Sequence, residues 1–470
     1  KYYICFEGCN WHEATKYPDE YKAYIVDENT YIWYEDKWIN VERKTPFFYT
    51  IDETNVPTYY EYLGGDWVLA DPYVSVVDGI ESRYYWFLSD AFTFANSALR
   101  KAPVITVLRD LTDITTAVSY TKVNGTCTLD LNGHSITGSV SSMLTVNATG
   151  CTFTIVDNST NKNGKINLVF SANNSRRYAL NVKNGHVILN SGTISGTCTL
   201  AYNKTSAPKP LTGCVVVAAG KQFTMNGGTV EAVAAYNPIA ITGSEGAPTI
   251  TINDGIINST AQTIDSPYGI YAYGTINFNG GTINATAEKT TTAVGIYVLA
   301  SSKAQGTLKM KGGTINATSQ TKTTRGVIVN RALAYDTNEP RSITTFYLAS
   351  ANISGGEINA IAKTSTDAEG ILTYGNTTIT GGEINAQCSA STTAFGIRMY
   401  GGETKISGSA VINAKATGTV YGIRVSEEAP TTAGVVYNST LQLNGGTINA
   451  QATTGAKAYG IYVGGATLAN

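Results

Sequence analysis

The chain has 470 residues, of which only 14% are charged and 47 are glycine; an ordinary globular protein carries about a quarter charged residues, so charged helical surfaces are not what fills this sequence. Lys+Arg 33 against Asp+Glu 35 leaves a net charge of -2, which excludes a chain-wide electrostatic footprint for nucleic acid or anionic membrane. The longest apolar run, Cys214 to Ala219, falls far short of the roughly 20 residues that span a bilayer, so no transmembrane segment is expected.

The near-neutral sum hides two parts. Residues 1 to 88 hold 16 acids and 7 bases (-9), leaving 19 acids and 26 bases (+7) for the rest, and all five tryptophans lie in the first part. At least two domains follow. The chain opens at Lys1 without an apolar leader, which suits a processed secreted protein and equally an arbitrary start. In the first part three segments align: Tyr3 to Trp11, Tyr31 to Ile39 and Tyr60 to Val68. Each reads as a strand, a tight Gly/Asp/Glu turn and a strand beginning near tryptophan, and therefore as a hairpin. Residues 1–88 are thus expected to be a small aromatic β module. Its aromatics either form its own core or, as Trp38 and Trp67 would, present rings to a glycan or protein.

Ser89 to Leu99 offers an N-cap serine and apolar residues at 91, 92, 95, 98 and 99, one face of a short helix over 89–100 placed to cover a terminal sheet edge. The strand Val104-Ile105-Thr106-Val107-Leu108 follows, and then Leu129-Asp130-Leu131-Asn132-Gly133-His134-Ser135-Ile136 reads as strand, turn, strand. From residue 225 one phrase recurs, as in Gly280-Gly281-Thr282-Ile283-Asn284-Ala285 and Gly381-Gly382-Glu383-Ile384-Asn385-Ala386, and a second alternates with it, as in Tyr268-Gly269-Ile270-Tyr271 and Tyr421-Gly422-Ile423-Arg424. The glycines of the second phrase are 26, 31, 44, 26, 26 and 38 residues apart. Short β-branched runs broken by glycine and asparagine, without a helical period, describe a parallel β-solenoid with about three strands per coil. The expectation is about eleven coils over 101–470, on the order of 50 Å of rod at strand spacing. The Ile of each Ile-Asn-Ala is expected in the core, and its Asn in a ladder at a turn, bonded to backbone groups.

The order helix, Val-Ile-Thr-Val-Leu-Arg-Asp, Leu-Asp-Leu-Asn-Gly-His-Ser-Ile resembles the start of right-handed parallel β-helices of the pectate-lyase-like superfamily. More narrowly it is similar to bacterial surface and secreted repeat proteins of adhesin type. The resemblance covers residues 89 to 470 and implies a fold rather than an activity, because that superfamily includes polysaccharide lyases, glycoside hydrolases, phage tailspikes and non-catalytic adhesins.

The seven cysteines are too scattered for a disulfide scaffold or paired zinc ligands. Cys5 and Cys9 are close enough to bridge within a hairpin, and the others read as small buried residues. Eleven Asn-x-Ser/Thr sequons, including Asn147, Asn258, Asn284 and Asn438, arise from an Asn/Thr-rich composition as readily as from selection for glycosylation. Only three histidines exist, His12, His134 and His186, and no nucleophile elbow, phosphate loop or cofactor fingerprint appears. No metal site or cofactor is therefore expected.

Polysaccharide cleavage on a β-helix usually needs clustered carboxylates, or calcium-binding acids beside a basic residue that abstracts a proton. The catalytic candidates are Glu357 and Glu383, 26 residues apart in adjacent coils. Binding candidates are Tyr271, Tyr297, Arg398, Arg424 and Tyr462 on an outward stripe. The chain stops within repeat phrasing at Asn470, so either more chain follows or another subunit docks head to tail. The reading is an extracellular structural or adhesive β-solenoid, a stalk, fibre or filament component that meets glycans or surface proteins; the alternative is a carbohydrate-active enzyme or tailspike-like depolymerase.

Overall fold

The computed structural model describes residues 71–464 apart from 172–176, 200–211, 236, 264, 290, 336–342, 365–366, 390–391, 427–437 and 455, and the backbone of eight strands between residues 2 and 69. Those eight are β1 (Tyr2–Cys5), β2 (Trp11–Ala14), β3 (Ala23–Val26), β4 (Asn29–Tyr34), β5 (Lys37–Asn40), β6 (Phe47–Ile51), β7 (Pro57–Leu63) and β8 (Asp66–Leu69). The three expected hairpins are present as the antiparallel pairs β1/β2, β4/β5 and β7/β8. The first and third share a five-stranded sheet, β2-β1-β6-β7-β8, whereas the second lies in a separate sheet, β3-β4-β5.

The solenoid's ladder begins earlier than its repeats. Strands β9 (Val74–Asp78) and β10 (Glu81–Tyr85) form a hairpin turning at Gly79, whose φ of +66° suits glycine. Strand β9 also pairs antiparallel with β11 (Val104–Val107), the first strand of the first coil. An antiparallel hairpin thus occupies the edge that the first coil would otherwise leave open.

Helix α1 (Leu88–Ala95) buries Leu88, Ala91, Phe92 and Ala95 against this end of the core. The expected Ser89 cap is corrected: the extended cap residue is Phe87, without a side-chain cap bond, and Ser89 stands in the first turn. The helix also ends before Leu99, which is exposed. Asn96 fixes its C-terminal end by donating Nδ2 to the Ser119 carbonyl (2.9 Å) and accepting the Thr121 N–H (2.8 Å).

From β11 onward each coil contributes one strand to each of three parallel sheets. In the first sheet eleven successive pairings join twelve coils, from Val104–Val107 to the strand opening at Ser439. Twelve coils stand beside the expected count of about eleven. The result is an all-β parallel β-helix, consistent with the right-handed winding that twisted strands impose on parallel crossovers. At about 4.8 Å per step the eleven steps span roughly 50 Å.

The phrases have physical reasons. Ile283, Ile315, Ile358, Ile384 and Ile412 stack in the core with at most 1% exposure. The glycine of the second phrase permits close approach between coils: a Cβ at Gly326 would collide with the Ile358 side chain and stand 2.6 Å from the Gly370 carbonyl oxygen. Between Thr324–Val329 and Ser350–Ile353 the chain leaves the solenoid as an antiparallel hairpin, Arg331–Tyr335 with Ile343–Leu348. This excursion lies within the 44-residue repeat.

The asparagine ladder exists, but in a different place. Asn258, Asn284, Asn316, Asn359, Asn385, Asn413 and Asn449 lie within strands of the second sheet, each Nδ2 donating to the preceding Oδ1 at 2.8–3.0 Å. In a pleated strand the residue after an inward Ile points outward, so the amides meet each other rather than a turn's backbone. Four other asparagines, Asn190, Asn226, Asn253 and Asn279, form a second ladder beyond the ends of the first-sheet strands.

Candidate functional site on the outer face of the third sheet

In the third sheet the phrase x-Gly-Ile-y sends its Ile inward and, because glycine has no side chain, sets both x and y toward the outside. The x ladder runs Tyr268, Val294, Arg325, Glu369, Phe395, Tyr421, Tyr459; the y ladder runs Tyr271, Tyr297, Ile328, Leu372, Arg398, Arg424, Tyr462. The fold therefore brings Tyr271 beside Tyr297, and sets Arg424 between Arg398 and Tyr462. Ile328 and Leu372 separate the two groups, so the candidates form two clusters on one face rather than a continuous stripe.

The first cluster is aromatic. Tyr271 and Tyr297 meet edge to face with centroids 5.2 Å apart, and Asn330 Nδ2 donates to the Tyr297 hydroxyl at 2.7 Å. Burial pushes both phenols up to about 12, so they remain hydrogen-bonding hydroxyls at any ordinary pH.

Between the clusters lies a group of charges that sequence reasoning missed. Glu369 is 1% exposed and is held by two arginines: Arg325 Nε donates to Oε2 at 2.5 Å and Arg398 Nη1 to Oε1 at 2.7 Å. Arg398 also lies 3.8 Å from Asp367. Burial disfavours the Arg398 cation, but the Glu369 charge outweighs it and raises the pKa. The Asp367 carboxyl is pushed above its ordinary range, first by burial and then by the Glu369 charge, against the pull of Arg398. The stacked rings of Tyr374 and Tyr400, 5.4 Å apart, border this group. A signal was available: Glu369 is the acid in an x ladder of aromatic, aliphatic and basic residues, with Arg325 one repeat before it and Arg398 one repeat after.

The second cluster is built differently. Phe395, Tyr421 and Tyr459 stack in a column at 5.2 and 5.3 Å, with interplanar angles of 5° and 10°. Their faces are spent on one another, and the side of the column carries Arg424. Its guanidinium lies 5.2 Å from the Tyr421 centroid and 5.9 Å from that of Tyr462. Arg398 has Glu369, whereas no carboxylate among the described residues reaches Arg424, and its buried Nε meets no acceptor.

The catalytic candidates lie elsewhere. Glu357 and Glu383 are register partners in the second sheet, flanked along the ladder by Thr314 and Val411. Their carboxylates accept from the asparagine ladder, Glu357 Oε1 from Asn385 at 3.4 Å and Glu383 Oε1 from Asn413 at 2.8 Å. Trp38 and Trp67 pair in register with Trp33 and Tyr62, and their side chains lie outside the described residues. Among the described residues no three His, Cys, Asp or Glu side chains gather as a metal would require, and no helix is long and apolar enough to cross a membrane. Cys127, Cys151 and Cys214 are free thiols, and these three, Cys198 and Cys388 are all buried. Compared with protein-family models, curated proteins and solved structures, the chain matches none.

Proposed function

We propose that this chain is an extracellular structural or adhesive solenoid, a stalk or fibre component, whose third-sheet face binds saccharide through the Arg424 cluster. The resemblance of residues 89 to 470 to pectate-lyase-like β-helices and surface adhesins supports the setting. The observation that carries the binding is Arg424 itself: a cation lying along an aromatic column, without a carboxylate among the described residues, beside partly exposed tyrosines. Such an edge offers hydrogen-bond donors and a charge at a shallow surface, which suits the hydroxyl-rich side of a sugar chain.

The test is binding of the purified chain to a panel of neutral and acidic polysaccharides, with product analysis of the same mixtures. Binding without chain cleavage is expected, weakened at least tenfold in an Arg424→Gln/Tyr421→Ala protein, a loss of about 1.4 kcal/mol. Failure to bind any polysaccharide, or unaltered binding by the variant, overturns the assignment.

A depolymerase is the second reading, and one observation favours it: Asp367 is a carboxyl with raised proton affinity on the same face, as a general acid needs. Cleavage products that vanish in Asp367→Asn would replace adhesion with catalysis.

A further inference from the structure

The 26-residue repeats create an ambiguity that the second-sheet ladders do not resolve. Across the hairpin excursion, Ile315, Asn316 and Ala317 pair with Ile358, Asn359 and Ala360. A chain that re-entered one coil late would pair them with Ile384, Asn385 and Ala386, residues of the same types, and would set Gly326 against Gly396 instead of Gly370. The second-sheet isoleucine core, the amide ladder and the glycine contact would all be conserved. The buried charges would not be: Arg325 would face Phe395, and Glu369, extruded with its coil, would lose both arginines.

We infer that Arg325, Glu369 and Arg398 form a register lock spanning three consecutive coils, placed where the chain leaves and re-enters the solenoid. Arg325 precedes the excursion and Glu369 follows it, 44 residues later, so their ion pair closes only when the intervening segment returns to the adjacent coil. Arg398 then fixes the next coil through the second carboxylate oxygen. In the slipped register Glu369 leaves with its coil, but Arg325 and Arg398, whose side chains are only 29% and 20% exposed, stay on the face without their carboxylate. Largely buried charges deprived of their partner are strongly unfavourable. That penalty separates the two registers where apolar packing and hydrogen bonding do not. The lock also determines which side chains share the outer face, since a slip would remove Leu372 and set Ile328 beside Arg398.

Disulfide trapping reads the register directly. One protein carries Asn316→Cys with Asn359→Cys, adjacent in the native register; another carries Asn316→Cys with Asn385→Cys, two coils and about 9.6 Å apart, beyond the roughly 7 Å limit for a bridge. Both are refolded and oxidised with the lock intact, with Arg325→Met/Glu369→Leu/Arg398→Met, which keeps volume and removes charge, and with Glu369→Gln. Folded monomers are digested and their bridges identified by mass. With the lock intact, the 316–359 bridge forms and 316–385 stays at background; in at least one variant 316–385 rises tenfold or more. Native-only bridging in both variants, or a 316–385 bridge with the lock intact, overturns the inference.

Discussion

Two acids, buried to different degrees, titrate in opposite directions for reasons visible around each carboxylate. Burial pushes Asp157 upward, but hydrogen bonds from Ser159 and the N–H groups of Gly164, Ser159 and Gly133 outweigh it, so its pKa lies below the ordinary value. A depressed folded pKa contributes stability that is present above the unfolded pKa and lost as pH falls through the folded one. Asp367 is the reverse case: its raised pKa favours the folded state below the unfolded pKa, and this contribution is lost as pH rises through the folded value. Asp157→Asn is therefore expected to destabilise the protein at pH 7, by about 1–3 kcal/mol for the donors left poorly satisfied, with the loss shrinking in acid. Asp367→Asn is expected to stabilise at pH 7 and to bring no gain in acid. Urea midpoints at pH 7 and pH 3 check both, and a same-signed response from the two variants at pH 7 would contradict this account.

At the scale of the strand, the second-sheet asparagine ladder is directional, and direction makes substitutions unequal. Asn385 donates Nδ2 to Asn359 at 3.0 Å and accepts from Asn413 at 2.8 Å. Asn385→Ala removes these two bonds and the longer 3.4 Å bond to Glu357, and is expected to cost about 1 kcal/mol. Asn385→Asp keeps the acceptor but sets a second acceptor against Asn359 Oδ1, next to Glu357 and Glu383. It should cost more than alanine at pH 7, about 2–3 kcal/mol, and recover when the new carboxyl is protonated. Equal midpoints for the two variants at pH 7 would remove the directional ladder. The ladder's existence is legible in the repeated Ile-Asn-Ala, and its position is not: asparagine favours turns and so suggests one here, whereas the inward Ile beside it fixes the Asn as an outward strand residue.

For the whole molecule, the regular coils were readable because each position repeats its chemistry, so periodicity, core and glycine contacts all appear as recurring letters. Two kinds of feature escaped for the converse reason. The capping hairpin of β9 and β10 occurs once, within the aromatic, acidic part, and carries no repeat phrase. The Glu369 cluster departs from its ladder, and a reading of recurring letters passes over departures. The same repetition predicts that whole coils are exchangeable units. Deleting residues 396–421 removes one 26-residue unit and joins Phe395 to Gly422, restoring an x-Gly-Ile-y phrase in which Arg424 occupies the place of Arg398. Glu369 then regains two arginines, and the shortened protein is expected to stay folded in the parent's oligomeric state, with an unchanged strand spectrum and a melting temperature within a few degrees of the parent. Deleting only residues 396–408 cuts half a coil, removes Arg398 without a substitute and reverses no ladder into register, so it should abolish cooperative melting. Circular dichroism melts and size-exclusion profiles of the two deletions test the argument: similar behaviour of both would show that coil periodicity does not govern this fold.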